Sequence, residues 1–135
     1  MTALSLQELI PRYVDAWNDP DPAHRRIALA SLYADESRIV MRAGVFAGID
    51  AIIEHVTEVF GQFIAPGRYR FATGGAVAHH DCVLFRWELR DAASGEPADG
   101  GMNLFLLSPE GRIAGDYQFT LGADSSIGSS GLLVP

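Results

Sequence analysis

The chain has a single cysteine in 135 residues. A lone thiol cannot close an internal disulfide, so cysteine usage gives no argument for an oxidising compartment. Positive charge is also scarce: 10 basic residues stand against 17 acidic ones, for a net charge of −7. The basic positions are scattered, at Arg25-Arg26, Arg68, Arg70, Arg86 and Arg90 among others, whereas a phosphate backbone requires them clustered. That argues against a nucleic-acid partner, and the acidity serves solubility instead. No apolar run approaches the roughly 20 residues that cross a bilayer. Met1-Thr2-Ala3-Leu4-Ser5 lacks the basic segment and apolar stretch of a signal peptide. The expectation is a cytoplasmic protein with no membrane or nucleic-acid partner.

Metal and phosphate chemistry are poorly supplied too. His79-His80-Asp81 invites a metal reading, but adjacent side chains of an extended segment point oppositely and cannot readily share one ion. No further Cys or His stands at ligand spacing. Those three residues read as a turn between strands, and Cys82 as a small buried residue heading the next one. Gly74-Gly75 and Gly100-Gly101 lack the strand–loop–helix context of a phosphate loop. Neither a metal nor a cofactor is expected.

What remains is a globular composition, 48% hydrophobic and 20% charged, of a length that makes one domain. Ser5-Leu6-Gln7-Glu8 is a capping box, followed by Leu6, Leu9, Ile10, Tyr13, Val14 and Trp17 at helical spacing. Pro11 within this stripe predicts a kink, or a start near residue 10. Asp21-Pro22 opens a second helix through about Tyr33. Short strands at 37–41 and 45–47 flank an Ala43-Gly44 turn, and Asp50 caps a third helix that faces Ile52, Ile53, Val56, Phe60 and Phe63 inward. Four strands follow, at 68–78, 82–91, 102–107 and 112–120, with a polar loop over 92–101. The second alternates cleanly, Val83, Phe85, Trp87 and Leu89 against Arg86, Glu88 and Arg90. Residues 122–135 form a Gly- and Ser-rich tail ending in Leu132-Leu133-Val134; the domain proper is 1–121.

Helices before an antiparallel run make an α+β fold. The order of a helix with Arg12-Tyr13-Val14, then Leu32-Tyr33-Ala34-Asp35-Glu36, a short strand, Phe46-Ala47-Gly48-Ile49-Asp50-Ala51-Ile52 and long strands resembles the NTF2-like superfamily. Within it, the SnoaL-like and ketosteroid-isomerase-like branch is most similar. The resemblance covers roughly residues 5–120. It implies a cone-shaped (cystatin-like) fold, three helices of the N-terminal half on a curved, mainly antiparallel sheet around an apolar pocket. It also implies a homodimer through the sheet face that the helices leave open, and a turn at Asp35-Glu36.

The resemblance further implies which residues carry chemistry. Tyr13 matches the helix tyrosine with which ketosteroid isomerases donate to an incipient enolate; packing in the core is the other reading. Asn103 falls where those enzymes carry a second donor, and could equally bond its neighbours. Met41 occupies the place of their general base and cannot accept a proton, which is a departure. Asp116 is the replacement: alternation with Ala114, Gln118 and Thr120 turns it toward the cone, where desolvation would raise its pKa. With the opposite phase it would be outside. Trp17, Met41, His55, Phe85, Trp87, Phe105 and Gln118 are expected to line a site for a small apolar molecule, His55 and Arg70 being secondary polar candidates. The function implied is cofactor-free proton transfer, as isomerase, cyclase or dehydratase, on an apolar carbonyl compound. The alternative is a non-catalytic ligand-binding or dimerisation module.

Overall fold

The first helix is set by its opening residues. Ser5 offers its carbonyl to the amides of Glu8 and Leu9, and the Glu8 carboxylate returns to the Ser5 amide at 3.2 Å. The structure, a computed structural model, describes residues 4–123. Helix α1 spans Leu6–Asn18 and runs through Pro11 without a later start. It buries Leu9, Ile10, Tyr13, Ala16 and Trp17. Asp21 caps α2 (Pro22–Leu32), its carboxylate accepting from the Ala23 and His24 amides.

Strand β1 covers Tyr33–Met41, so the second helix stops one residue short of the expected end. The Asp35-Glu36 segment is therefore strand, not turn. Parallel pairing of Tyr33 with Ile113 draws this residue into extended backbone. An Arg42-Ala43 turn leads to β2 (Gly44–Ala47). Helix α3 (Ile49–Val59) is opened by Gly48, not Asp50. At φ +88° Gly48 adopts backbone that a side chain disfavours, and its amide reaches the Ser37 carbonyl at 2.8 Å. A π-helical turn, Phe60–Ile64, extends α3. There Phe60 and Phe63 are only half-buried.

The remaining strands are β3 (Tyr69–His79), β4 (Cys82–Asp91), β5 (Pro97–Leu107) and β6 (Ile113–Thr120). β5 begins five residues before the expected 102, because 97–101 pair with β4 from Arg90 to Trp87. Sheet order is β2-β1-β6-β5-β4-β3. Only the β1–β6 pair is parallel. The sheet is curved and unclosed, with a register shift between Thr73 and Ala76 of β3 that adds local bend. The helices lie on its inner face, where Leu29, Tyr33, Ile39, Ile52, Val56, Phe85, Phe105 and Ile113 form the core. Arg25, one of the scattered basic residues, is also buried: its guanidinium lies 4.7 Å from the Phe60 ring centroid and donates to the Asp19 carbonyl.

Candidate functional site

Three elements converge on one buried carboxylate. Alternation on β6 turns Asp116 inward, opposite Phe105 of β5, and the residue is wholly sealed from solvent. Its Oδ2 accepts from Tyr13 Oη of α1 at 2.7 Å and from Tyr33 Oη of β1 at 2.6 Å. Gln118 Nε2 also donates to Oδ2, at 3.2 Å, and Asn103 Nδ2 donates to Oδ1 at 3.1 Å. The same two amides donate to Tyr13 Oη, from Asn103 at 3.0 Å and from Gln118 at 3.2 Å. Five side chains from four elements are thus tied into one network.

Burial pushes the Asp116 pKa up to about 6, against the opposing pull of the Tyr33, Tyr13 and Gln118 hydrogen bonds. Desolvation wins because the whole carboxylate has been removed from water. Burial first, and then the Asp116 charge, hold both phenols well above the usual tyrosine range. Tyr13 and Tyr33 are therefore proton donors to Asp116 at neutral pH, not phenolates.

This pKa has a sign in stability. Between about pH 4 and 6 the folded chain holds a proton that the unfolded chain has released, so Asp116 makes stability fall as pH rises through that window. The change corresponds to about 3 kcal/mol. Asp116→Asn is expected to remove it. Subtracting the variant's unfolding free energy from that of the wild type, by urea titration at pH 4.5 and 7, measures the contribution. A difference that does not vary with pH would contradict the raised pKa.

Beside this network lies a cavity of about 250 Å³. Tyr13, Asn103 and Gln118 reach it, whereas Asp116 does not line it and connects to it through them. Trp17, Met41, His55 and Trp87 are in the wall together with Val14, Val59, Phe63, Phe71, Leu89, Asp99 and Thr120. Phe85 and Phe105, expected in the lining, lie beneath it instead. Their rings pack edge-on against Tyr13, with centroids at 5.6 and 4.8 Å, and fix its orientation. His55 stacks on Phe46 at 3.9 Å, and burial lowers its pKa, which keeps the ring neutral. Arg70 is exposed and outside the wall. Among the described residues no cluster of His, Cys, Asp and Glu could hold a metal, and no helix is long and apolar enough to cross a membrane.

Tyr33 and Asp99 escaped the sequence reading. Alternation gave no clean signal for Tyr33: counting back by twos from the inward Ile39 passes the buried Ser37 but then the exposed Asp35, and the register shifts between Tyr33 and Arg38. Tyr33 also continues the helical pattern of α2. Asp99 was hidden in a segment whose composition reads as loop.

An open, curved sheet wrapped around an apolar cavity and three helices is an α+β cone of the NTF2-like kind. The family model described as a SnoaL-like domain matches residues 10–115, and the chain belongs to that family. Among solved structures it is similar to a candidate isomerase of the SnoaL-like family from Agrobacterium tumefaciens. That match has 27% identity and TM-score 0.76, and covers 84% of this chain and 95% of the other. A candidate polyketide cyclase from Sinorhizobium meliloti matches at 18% identity and TM-score 0.63, over 82% and 93% of the two chains. A protein of ketosteroid-isomerase-like fold from Catenulispora acidiphila, in complex with trimethylamine, matches at 18% identity and TM-score 0.66, over 85% and 86%. No curated protein matches the chain.

Proposed function

We propose that this protein is a proton-transfer enzyme, an isomerase, cyclase or dehydratase, acting on an apolar carbonyl compound held in the cavity. The observation that carries the reading is the Asp116–Tyr13 pair: a sealed carboxyl with a pKa of about 6 joined at 2.7 Å to a hydroxyl that reaches the cavity. A carboxylate poised near neutral pH suits general acid–base work. In this scheme the substrate's proton passes to Tyr13 Oη as the phenolic proton moves to Asp116, and the reverse shift returns it at a second position. Asn103 and Gln118 supply N–H groups to the oxygen on which charge develops. A carboxylate of this basicity serves substrates whose C–H is already activated, such as those flanked by two carbonyls. The candidate isomerase and polyketide cyclase among the similar structures are consistent with that chemistry.

The test is hydrogen exchange. A panel of apolar compounds with an activated C–H, incubated with the protein in deuterated water, should yield by NMR a compound deuterated at one carbon. Compounds that bind, by tryptophan fluorescence, yet never exchange would instead support a non-catalytic ligand-binding module. That second reading draws on the Asp116 network itself, in which each carboxylate oxygen already has its donors.

A homodimer through the outer sheet face belongs to the same proposal. The register aligns Val45, Val40, Tyr117, Leu104, Leu84 and Val77 in one row across all six strands, a continuous apolar belt. Val45, Val77 and Leu84 are exposed, as is Phe119 nearby, and apolar surface of that extent marks an interaction site. Arg86 lies beside the belt on the same face. The Leu132-Leu133-Val134 segment lies outside the described residues. Sedimentation at micromolar concentration should give a dimer and Leu104→Glu a monomer; a wild-type monomer counts against the interface.

A further inference from the structure

The inward residues of β4 and β5 change character along the strands. Phe85 faces Asn103, Trp87 faces Gly101, and Leu89 faces Asp99. One end of the cavity therefore carries the amide and hydroxyl network and the other a carboxylate. Four residues of strand at about 3.4 Å each separate the two by about 13–14 Å. Aromatic rings occupy the space between. Trp87 lies over Gly101, so close that a Cβ there would sit 2.9 Å from its Cζ2. The Phe71 ring meets Trp87 edge-on at 6.1 Å and Trp17 at 5.9 Å.

Charge in this cavity is of one sign. The chain's 10 basic residues are all arginine, and none lines it. Among the described residues the one basic group in the wall is His55, kept neutral by burial. Asp99 is half-buried, and its Oδ1 accepts only from the adjacent Gly100 amide, at 2.9 Å, with no ion pair among the described residues. An unpaired carboxylate beside aromatic rings of the wall attracts a cation on both counts. At the other end, Asn103 Oδ1 is a buried acceptor on a wall residue without a partner among the described residues, and between the ends the Trp17 Nε1 donor is likewise buried without one. A hydroxyl can serve either.

We infer that the cavity takes an elongated amine: an apolar or aromatic body with an ammonium group at Asp99 and a hydroxyl or carbonyl at the Asn103 end. This rests on the cavity being the ligand site of the proposed reaction, and it makes the substrate a cationic carbonyl or hydroxyl compound instead of a neutral or acidic one.

Three matched probes test it on the full chain: a phenol bearing, para to its hydroxyl, a four-carbon chain ending in an ammonium, an alcohol or a carboxylate. Quenching of Trp17 and Trp87 fluorescence reports binding, with calorimetry as a second readout. The ammonium compound should bind about tenfold more tightly than the alcohol at low salt, and the carboxylate most weakly. Asp99→Asn, which keeps the side chain's shape, should bring the ammonium down to within about twofold of the alcohol. Equal binding of ammonium and alcohol to the wild type overturns the inference yet leaves the cavity a ligand site. A preference unchanged in Asp99→Asn overturns the role of Asp99. Binding by none of the three overturns both the amine and the cavity reading.

Discussion

Replacing Asp116 with asparagine is expected to lower turnover at least about 100-fold with little change in ligand affinity. The substitution keeps the planar shape and can still accept from Tyr13 and Tyr33, which now donate to Oδ2 at 2.7 and 2.6 Å. It removes the exchangeable proton. Because Asp116 lies behind Tyr13 and does not itself line the cavity, binding and turnover should separate, the kcat falling while KM holds. The pH profile gives an independent check. A base works as its carboxylate, so wild-type turnover should be half-maximal near pH 6, full about one unit above it and lost below it. Tyr13→Phe should also lose rate, since it breaks the link between Asp116 and the substrate. An Asp116→Asn protein that turns over at the wild-type rate would remove Asp116 from the mechanism and leave the proton transfer to another group.

Much of the architecture was legible because each element faces water on one side. The α1 stripe through Tyr13 and Trp17, and the β4 alternation through Val83, Phe85 and Leu89, follow from that partition. The failures share a physical cause: where pairing with a neighbour decides the conformation, local preference misleads. Tyr33 continues a helical pattern but is captured by β6. Asp99, Gly100 and Gly101 have weak strand propensity, yet pair with Leu89, Glu88 and Trp87. Missing that strand start hid Asp99 from the candidate site. Phe85 and Phe105 had the right phase but the wrong depth. Alternation tells which face a side chain takes; it does not tell whether α1 covers it, and here the Tyr13 ring does. The hydrogen-bonding of Asn103 was equally unreadable, because its Nδ2 partners come from α1 and from β6, 90 and 13 residues away in sequence.

Gly101→Ala should be the most damaging single change of one methyl group. A Cβ at this position would stand 1.8 Å from the Phe119 carbonyl oxygen and 2.9 Å from Trp87 Cζ2. The second contact could be relieved by a side-chain shift. The first is to backbone of the adjacent strand, which Gly101 pairs through Thr120, so β5 and β6 must separate where the sheet floors the cavity. An expected loss of at least about 3 kcal/mol follows, or roughly 10 °C in Tm for a chain of this size. Gly75→Ala is the control, because nothing lies within 4 Å of a Cβ there; its cost should stay below about 1 kcal/mol. Adding Trp87→Leu to Gly101→Ala should restore little, since it leaves the carbonyl clash in place, and that distinguishes a backbone cause from a crowded ring. Any folded Gly101→Ala protein should also bind the ammonium probe poorly, because Trp87 would be pushed off the strand it now covers. A Gly101→Ala variant within about 0.5 kcal/mol of wild type would show that the two strands can part at that point without cost, and the close approach of Trp87 to β5 would then not be what shapes the cavity.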